Sequence, residues 1–123
     1  MAELHDIERQ GLAALTEYLL CAGRTVERSA RKTFDLMVDG IPAEVKCKRM
    51  PWSTLDFIGL TDKQRHALDR GDCFLLFVVC NLKDPSAPDI IEIQSQALHA
   101  ATFKVESTHY IYGKELKRLA TAY

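Results

Sequence analysis

Apolar residues recur through positions 3–22 at Leu4, Ile7, Leu12, Leu15, Leu19 and Leu20, close to the 3.6-residue period of a helix with one buried stripe. Gly23 follows at once and suits the left-handed residue that ends a helix. The period then shortens. Thr25 to Glu27 reads as a short strand, and "KTFDLMV" and "IPAEVKCK" as two strands joined at Asp39-Gly40. That dipeptide accepts positive φ at both central positions of a type I′ turn, so it predicts a tight hairpin. "RMPWSTLDF" reads as a loop carrying Pro51 and Trp52. "LTDKQRHALDRG" reads as a short helix, with Thr61 and Gln64 at capping-box spacing and Gly71 as its stop. "CFLLFVVCNL" is the most apolar run, rich in β-branched and aromatic residues, and predicts a strand buried on both faces. After the turn-rich "KDPSAPD" come an edge strand at "IIEI", a helical turn in "SQALHAATF", a short strand at "THYIY" and a terminal helix at "GKELKRLATAY". The order α-β-β-β-α-β-β with C-terminal additions predicts an α/β (α+β) fold, a central mixed sheet flanked by helices, in one domain spanning 1–123.

The hairpin brings chemistry with it. With Asp39-Gly40 as the loop, Val38 opposes Ile41, Met37 opposes Pro42, Leu36 opposes Ala43, and Asp35 opposes Glu44. Side chains alternate along a strand, so Glu44, Lys46 and Lys48 share one face with Asp35, while Val45 and Cys47 turn to the other. Two carboxylates directly opposite each other repel and raise each other's pKa. Lys46 relieves part of this, and a divalent cation would relieve more, because close oxygen ligands suit Mg²⁺. The same triplet also reads as a solvated face of ordinary surface ion pairs, worth ~0–1 kcal/mol each.

Composition changes the picture only locally. The 123 residues are 47% hydrophobic and 27% charged, enough apolar content for one domain with its own core. No apolar run reaches the ~18–20 residues of a membrane span, and the polar start "MAELHDIERQ" lacks a signal-peptide pattern, so a cytoplasmic protein is expected. Cys21, Cys47, Cys73 and Cys80 have no metal-ligand spacing. Cys47, Cys73 and Cys80 fall on apolar strands and read as buried, reduced thiols. A net charge of −1 excludes a generally basic nucleic-acid binder. Arg24, Arg28, Arg31, Lys32, Lys46, Lys48 and Arg49 are nevertheless crowded into one segment, and a patch of that sign beside an acid cluster suits a phosphate backbone.

A leading helix with a glutamate, a strand with an acid, and a hairpin partner bearing Glu-x-Lys resemble the PD-(D/E)xK nuclease superfamily. A helix and a buried strand follow, as they do there. Archaeal-type Holliday junction resolvases and restriction-endonuclease-like domains look closest. The resemblance covers residues 5–80, and its specific part is "FDLMVDGIPAEVK", with eight residues between Asp35 and Glu44. Phe34 stands where the name-giving proline sits. "GLTDKQRHAL" is similar to the segment after the motif in several such nucleases, where a glutamine begins the next helix. The resemblance implies an αβββαβ core and Mg²⁺ (or Mn²⁺) held by Asp35 and Glu44. Lys46 would orient water or stabilise phosphate charge, and Glu8 would complete the metal shell, with Glu17 as the fallback on the same helix. It also implies a nuclease acting on DNA, RNA not excluded, and a homodimer built on an edge strand or the terminal helix.

The remaining candidates divide two ways. Arg24, Arg28, Arg31, Lys32, Lys48 and Arg49 are candidate nucleic-acid contacts. Gln64 either touches the site or caps its helix. Trp52 either stacks on a base or covers the core edge. His5, His66, His99 and His109 have no ligand spacing, and Tyr110, Tyr112 and Tyr123 read as packing residues. A non-catalytic module of the same fold, binding nucleic acid or a protein partner, or a subunit of a larger nuclease assembly, is the alternative function. No P-loop, Rossmann or nucleophile-elbow pattern occurs.

Overall fold

A computed structural model describes residues 2–30, 33–82, 88–101, 103–105 and 109–122. The candidate cations Arg31 and Lys32, most of the loop at 83–87, the side chain of His5 and Tyr123 lie outside the described residues. Helix α1 runs Ala2–Cys21. Leu15 and Leu19 are fully buried, but Leu20 is turned out to solvent, so the stripe is narrower than the periodicity predicts. Gly23 takes a left-handed φ of 79° and ends the helix.

Strand β1 (Val26–Arg28) pairs with β2 (Leu36–Val38), and β2 with β3 (Ile41–Cys47), both antiparallel. Asp39 and Gly40 have φ of 53° and 79°, the two positive values of the predicted turn. The register follows: Val38 opposes Ile41, Met37 opposes Pro42, and Leu36 opposes Ala43. A short 3-10 turn at Trp52–Thr54 leads to β4 (Phe57–Leu60), and α2 spans Asp62–Asp69. Its capping box closes in both directions between Thr61 and Gln64. Strand β5 (Leu75–Cys80) is buried at every residue, as a strand with neighbours on both edges and layers on both faces must be. It lies parallel to β3 and antiparallel to β6 (Asp89–Gln94), which is an edge strand. The chain ends with α3 (Ser95–Leu98), β7 (Lys104–Val105), β8 (His109–Tyr112) and α4 (Gly113–Ala122).

The fold is α+β: a five-stranded mixed sheet, β1-β2-β3-β5-β6, flanked by helices. Helix α1 covers one face through Leu15 and Leu19 on Leu36, Val38, Ala43, Phe77 and Val79. The other face carries Leu76, Val78 and Ile93 against Leu68 of α2, Leu98 of α3 and Leu116 of α4. A second sheet, β4-β8-β7, also sits on this side and adds Ile58, Leu60 and Ile111. The sequence reading left residues 58 and 59 unassigned and saw no second sheet. Four residues of "FIGL" become a strand only when "HYIY", far along the chain, pairs with them.

Cys73 is a correction. It is exposed ahead of β5, whereas Cys80 is buried and Cys47 half-buried. All four cysteines are free. Among the described residues no helix is long and apolar enough to cross a membrane.

Candidate active site

The open end of the β2–β3 hairpin is where the acids collect. Asp35 precedes β2, and its backbone N–H donates to the Ala43 carbonyl at 3.1 Å. Its carboxylate Oδ2 accepts from the Val45 N–H at 3.0 Å, so the side chain itself extends the ladder and fixes where the carboxylate stands. One pleat over, Glu44 lies in the middle of β3 with β5 beside it and is 7% exposed. A carboxylate that deep is costly unless paired. Lys46, two residues on and therefore on the same face, places its Nζ 2.9 Å from Glu44 Oε2.

One ammonium does not balance the pair. Burial pushes the Glu44 carboxyl up to about 7, from an ordinary 4.5, and the charge and hydrogen bonding of Asp35 push the same way. Lys46 pulls it down only in part. Cys47 points to the other face, against α1, with its Sγ 3.9 Å from the Glu8 carbonyl; burial raises the thiol to about 12, so it stays protonated and unreactive.

Asp35, Glu44 and Lys46 line one cleft of about 430 Å³. Glu8 closes it from α1, and Lys48, Gly59 and Thr61 line its other walls. Glu17 lies elsewhere, along a groove of about 900 Å³ on the outer flank of α1. The close approach of α1 that brings Glu8 to the cleft needs Gly11, where a Cβ would overlap Cys47 Sγ. Sequence reasoning passed over Gly11, and a glycine on the buried stripe of a helix was the available signal. A second opening of about 470 Å³, lined by Thr33, Lys63 and Gln64 among others, also reaches Asp35 and Glu44.

The donor set fits a divalent cation in its chemistry. Two hard carboxylates converge, and the incomplete compensation of Glu44 leaves room for further positive charge. Among the described residues, no three His, Cys, Asp or Glu side chains form a ready ligand group, so Glu8 lines the cleft without standing in a preformed cage.

The predicted cations scatter. Lys48 lines the cleft, with its Nζ 3.1 Å from Asp56 Oδ1 and 4.4 Å from the Phe57 ring centroid. Burial works against the Asp56 carboxylate, but the Phe57 N–H and Lys48 hold it below the usual range. Arg24 is not brought to the site. Its Nε donates to Asp39 at 2.8 Å and another guanidinium nitrogen to Glu92 at 2.5 Å, at the turn end of the hairpin, away from Asp35. Arg28 lies along the outer groove of α1, and Arg49 is exposed just past β3.

Two of the divided readings resolve locally. Gln64 is 2% exposed; its oxygen accepts from Thr61 N–H and its amide nitrogen donates to the Thr33 carbonyl at 2.8 Å. It is therefore a buried cap that ties α2 to the turn leading into Asp35. Trp52 is half-buried and packs on the core, while its backbone N–H donates to Asp89 at 3.1 Å. Compared with protein-family models, with curated proteins and with solved structures, the chain matches none.

Proposed function

We propose that the protein is a metal-dependent nuclease of the PD-(D/E)xK kind that hydrolyses phosphodiester bonds in DNA, at the cleft of Asp35, Glu44 and Lys46. The observation that carries the reading is a buried glutamate left under-compensated beside a second carboxylate, with an ammonium at 2.9 Å, in a solvent-open cleft. A purely structural ion pair this deep would be balanced, because unbalanced buried charge destabilises a fold. Asp35 and Glu44 would hold Mg²⁺ or Mn²⁺, with Glu8 facing the same space. When bound, such an ion neutralises phosphate oxygens and makes water a better nucleophile. Asp35 is held by the Val45 N–H, so its carboxylate is oriented before any ligand arrives. Lys46 is long enough to leave Glu44 for a phosphate oxygen or the attacking water, and supplies a fixed positive charge there.

The second reading is a non-catalytic module of this fold that binds nucleic acid or a protein, or one subunit of a larger nuclease. The lack of a preformed three-ligand group among the described residues favours it. Incubation with a panel of labelled single-stranded, duplex and branched DNA and RNA, with Mg²⁺, with Mn²⁺ and with EDTA, separates the two. Metal-dependent cleavage of any substrate supports the nuclease; binding without cleavage throughout the panel supports the module. Junction resolvases, which the chain resembles, cut paired strands with two such sites, so that form of the nuclease reading carries a homodimer, and a monomer by light scattering at tens of micromolar would remove that part of it.

A further inference from the structure

The outer face of the second sheet presents a row of aromatic rings. In the β4–β8 register Phe57 opposes Tyr112 and Gly59 opposes Tyr110, while Ile58 and Ile111 alternate inward to the core. Phe57, Tyr110 and Tyr112 therefore share the outward face. Their ring centroids are 5.4 Å apart for Phe57–Tyr110, tilted by 59°, and 5.5 Å for Tyr110–Tyr112, edge to face at 86°. Phe57 is 41% exposed and Tyr112 52%. Isolated apolar residues on a surface need no explanation, but three touching rings on one face do.

Three features say what the face meets. It is continuous with the cleft, because Gly59, opposite Tyr110, also lines the cavity that holds Asp35 and Glu44. Lys48 bridges the two, lining the cleft while its ammonium sits 4.4 Å from the Phe57 ring. The patch is also small. Half-exposed side chains of ~200 Å² each leave roughly 200 Å² of open ring surface, against ~800 Å² per partner in a stable protein interface. That area matches one or two nucleobases. An exposed ring beside a tyrosine hydroxyl is a wettable surface of the kind on which a base stacks without regard to sequence.

Resting on the nucleic-acid reading of the cleft, we infer that the exposed rings of Phe57 and Tyr112, braced by Tyr110 between them, are the platform on which unpaired bases stack next to the cleft of Asp35, Glu44 and Lys46. A single strand, or the frayed or branched end of a duplex, is then the preferred substrate. Paired bases keep their faces stacked on one another and cannot use the rings.

The test is fluorescence anisotropy in EDTA with one labelled oligonucleotide, single-stranded and as a blunt duplex, for the parent, Phe57→Ala, Tyr112→Ala and Tyr112→Phe. Stacking is worth enough per base that each alanine variant is expected to lose about tenfold in single-strand affinity. Duplex affinity should stay within about twofold, and Tyr112→Phe, which keeps the ring, should bind as the parent does. Thermal melts of the four proteins establish that the alanine variants remain folded. If the parent binds single strands and both alanine variants bind them equally well, the platform is overturned while the cleft reading stands on its own cleavage assay. If the parent neither binds nor cleaves, both fall. If the parent is a dimer that either alanine variant dissociates, the face is a self-interface and the inference is overturned.

Discussion

The two ends of one hairpin treat the same chemistry in opposite ways. At the turn end, Asp39 is met by Arg24 at 2.8 Å and by the Thr25 N–H at 2.9 Å. Those hydrogen bonds, Arg24's first, hold its carboxyl below the ordinary value, and Arg24 is in turn held firmly protonated by Glu92 and Asp39. At the open end, Glu44 is buried with Asp35 beside it and one lysine for two carboxylates, and its carboxyl rises to about 7. The turn end shows what these side chains do when their task is to hold a structure together. The open end keeps two carboxylates with one lysine beside them among the described residues, and a buried carboxyl shifted in this way is typical of functional sites.

Cleavage should break the comparison most sharply. Glu44→Gln keeps shape but removes ligand charge, and Lys46→Ala removes the ammonium; each is expected to lower the rate by ~10²–10³, the scale of a lost transition-state donor. Arg24→Gln, at the other end, should cleave within about twofold of the parent in the same assay. A Lys46→Ala variant as active as the parent would end the catalytic reading.

Stability against pH comes next. The folded pKa of Glu44 lies above its unfolded value, so its contribution is fully present below about 4.5 and lost as pH rises through about 7. The loss is about 3 kcal/mol between those limits at about 1.36 kcal/mol per pH unit. Urea melts from pH 4.5 to 8.5 without divalent ions should show that fall in the parent and a flatter curve in Glu44→Gln. Asp39 has the opposite sign: its folded pKa is depressed, so what it contributes is present above about 3.8 and lost as pH falls lower.

Metal addition should reverse the first of these trends. At pH 7.5, Mg²⁺ at ten times its Kd is expected to stabilise the parent by about 1.4 kcal/mol, read as a rise in thermal midpoint. Lys46→Ala should keep the shift and Glu44→Gln should lose it. The smallest effect belongs to the turn: Arg24→Gln should lower the thermal midpoint only slightly, because the pair is solvated, with no change in the Mg²⁺ response.

How far the sequence reached depends on distance along the chain. The hairpin register, the Glu44–Lys46 spacing on one face, the Thr61–Gln64 cap and the buried β5 were all legible. The first three rest on contacts within a few residues, where backbone geometry and side-chain alternation leave little choice, and β5 announces itself by an unbroken apolar run. Arg24 looked like a phosphate ligand because its partners Asp39 and Glu92 lie 15 and 68 residues away, where no local rule connects them. The second sheet was invisible for the same reason, and with it the ring face of Phe57, Tyr110 and Tyr112. Glu8 was the candidate and Glu17 the fallback, and the register of the helix, with its Gly11–Cys47 approach, puts Glu8 at the cleft. By itself, then, the sequence determined that two acids and a lysine share one face of a hairpin. Only the tertiary structure decided that Glu44 is buried and its charge left unbalanced, because burial is set by β5 and the second layer, which the chain supplies much later.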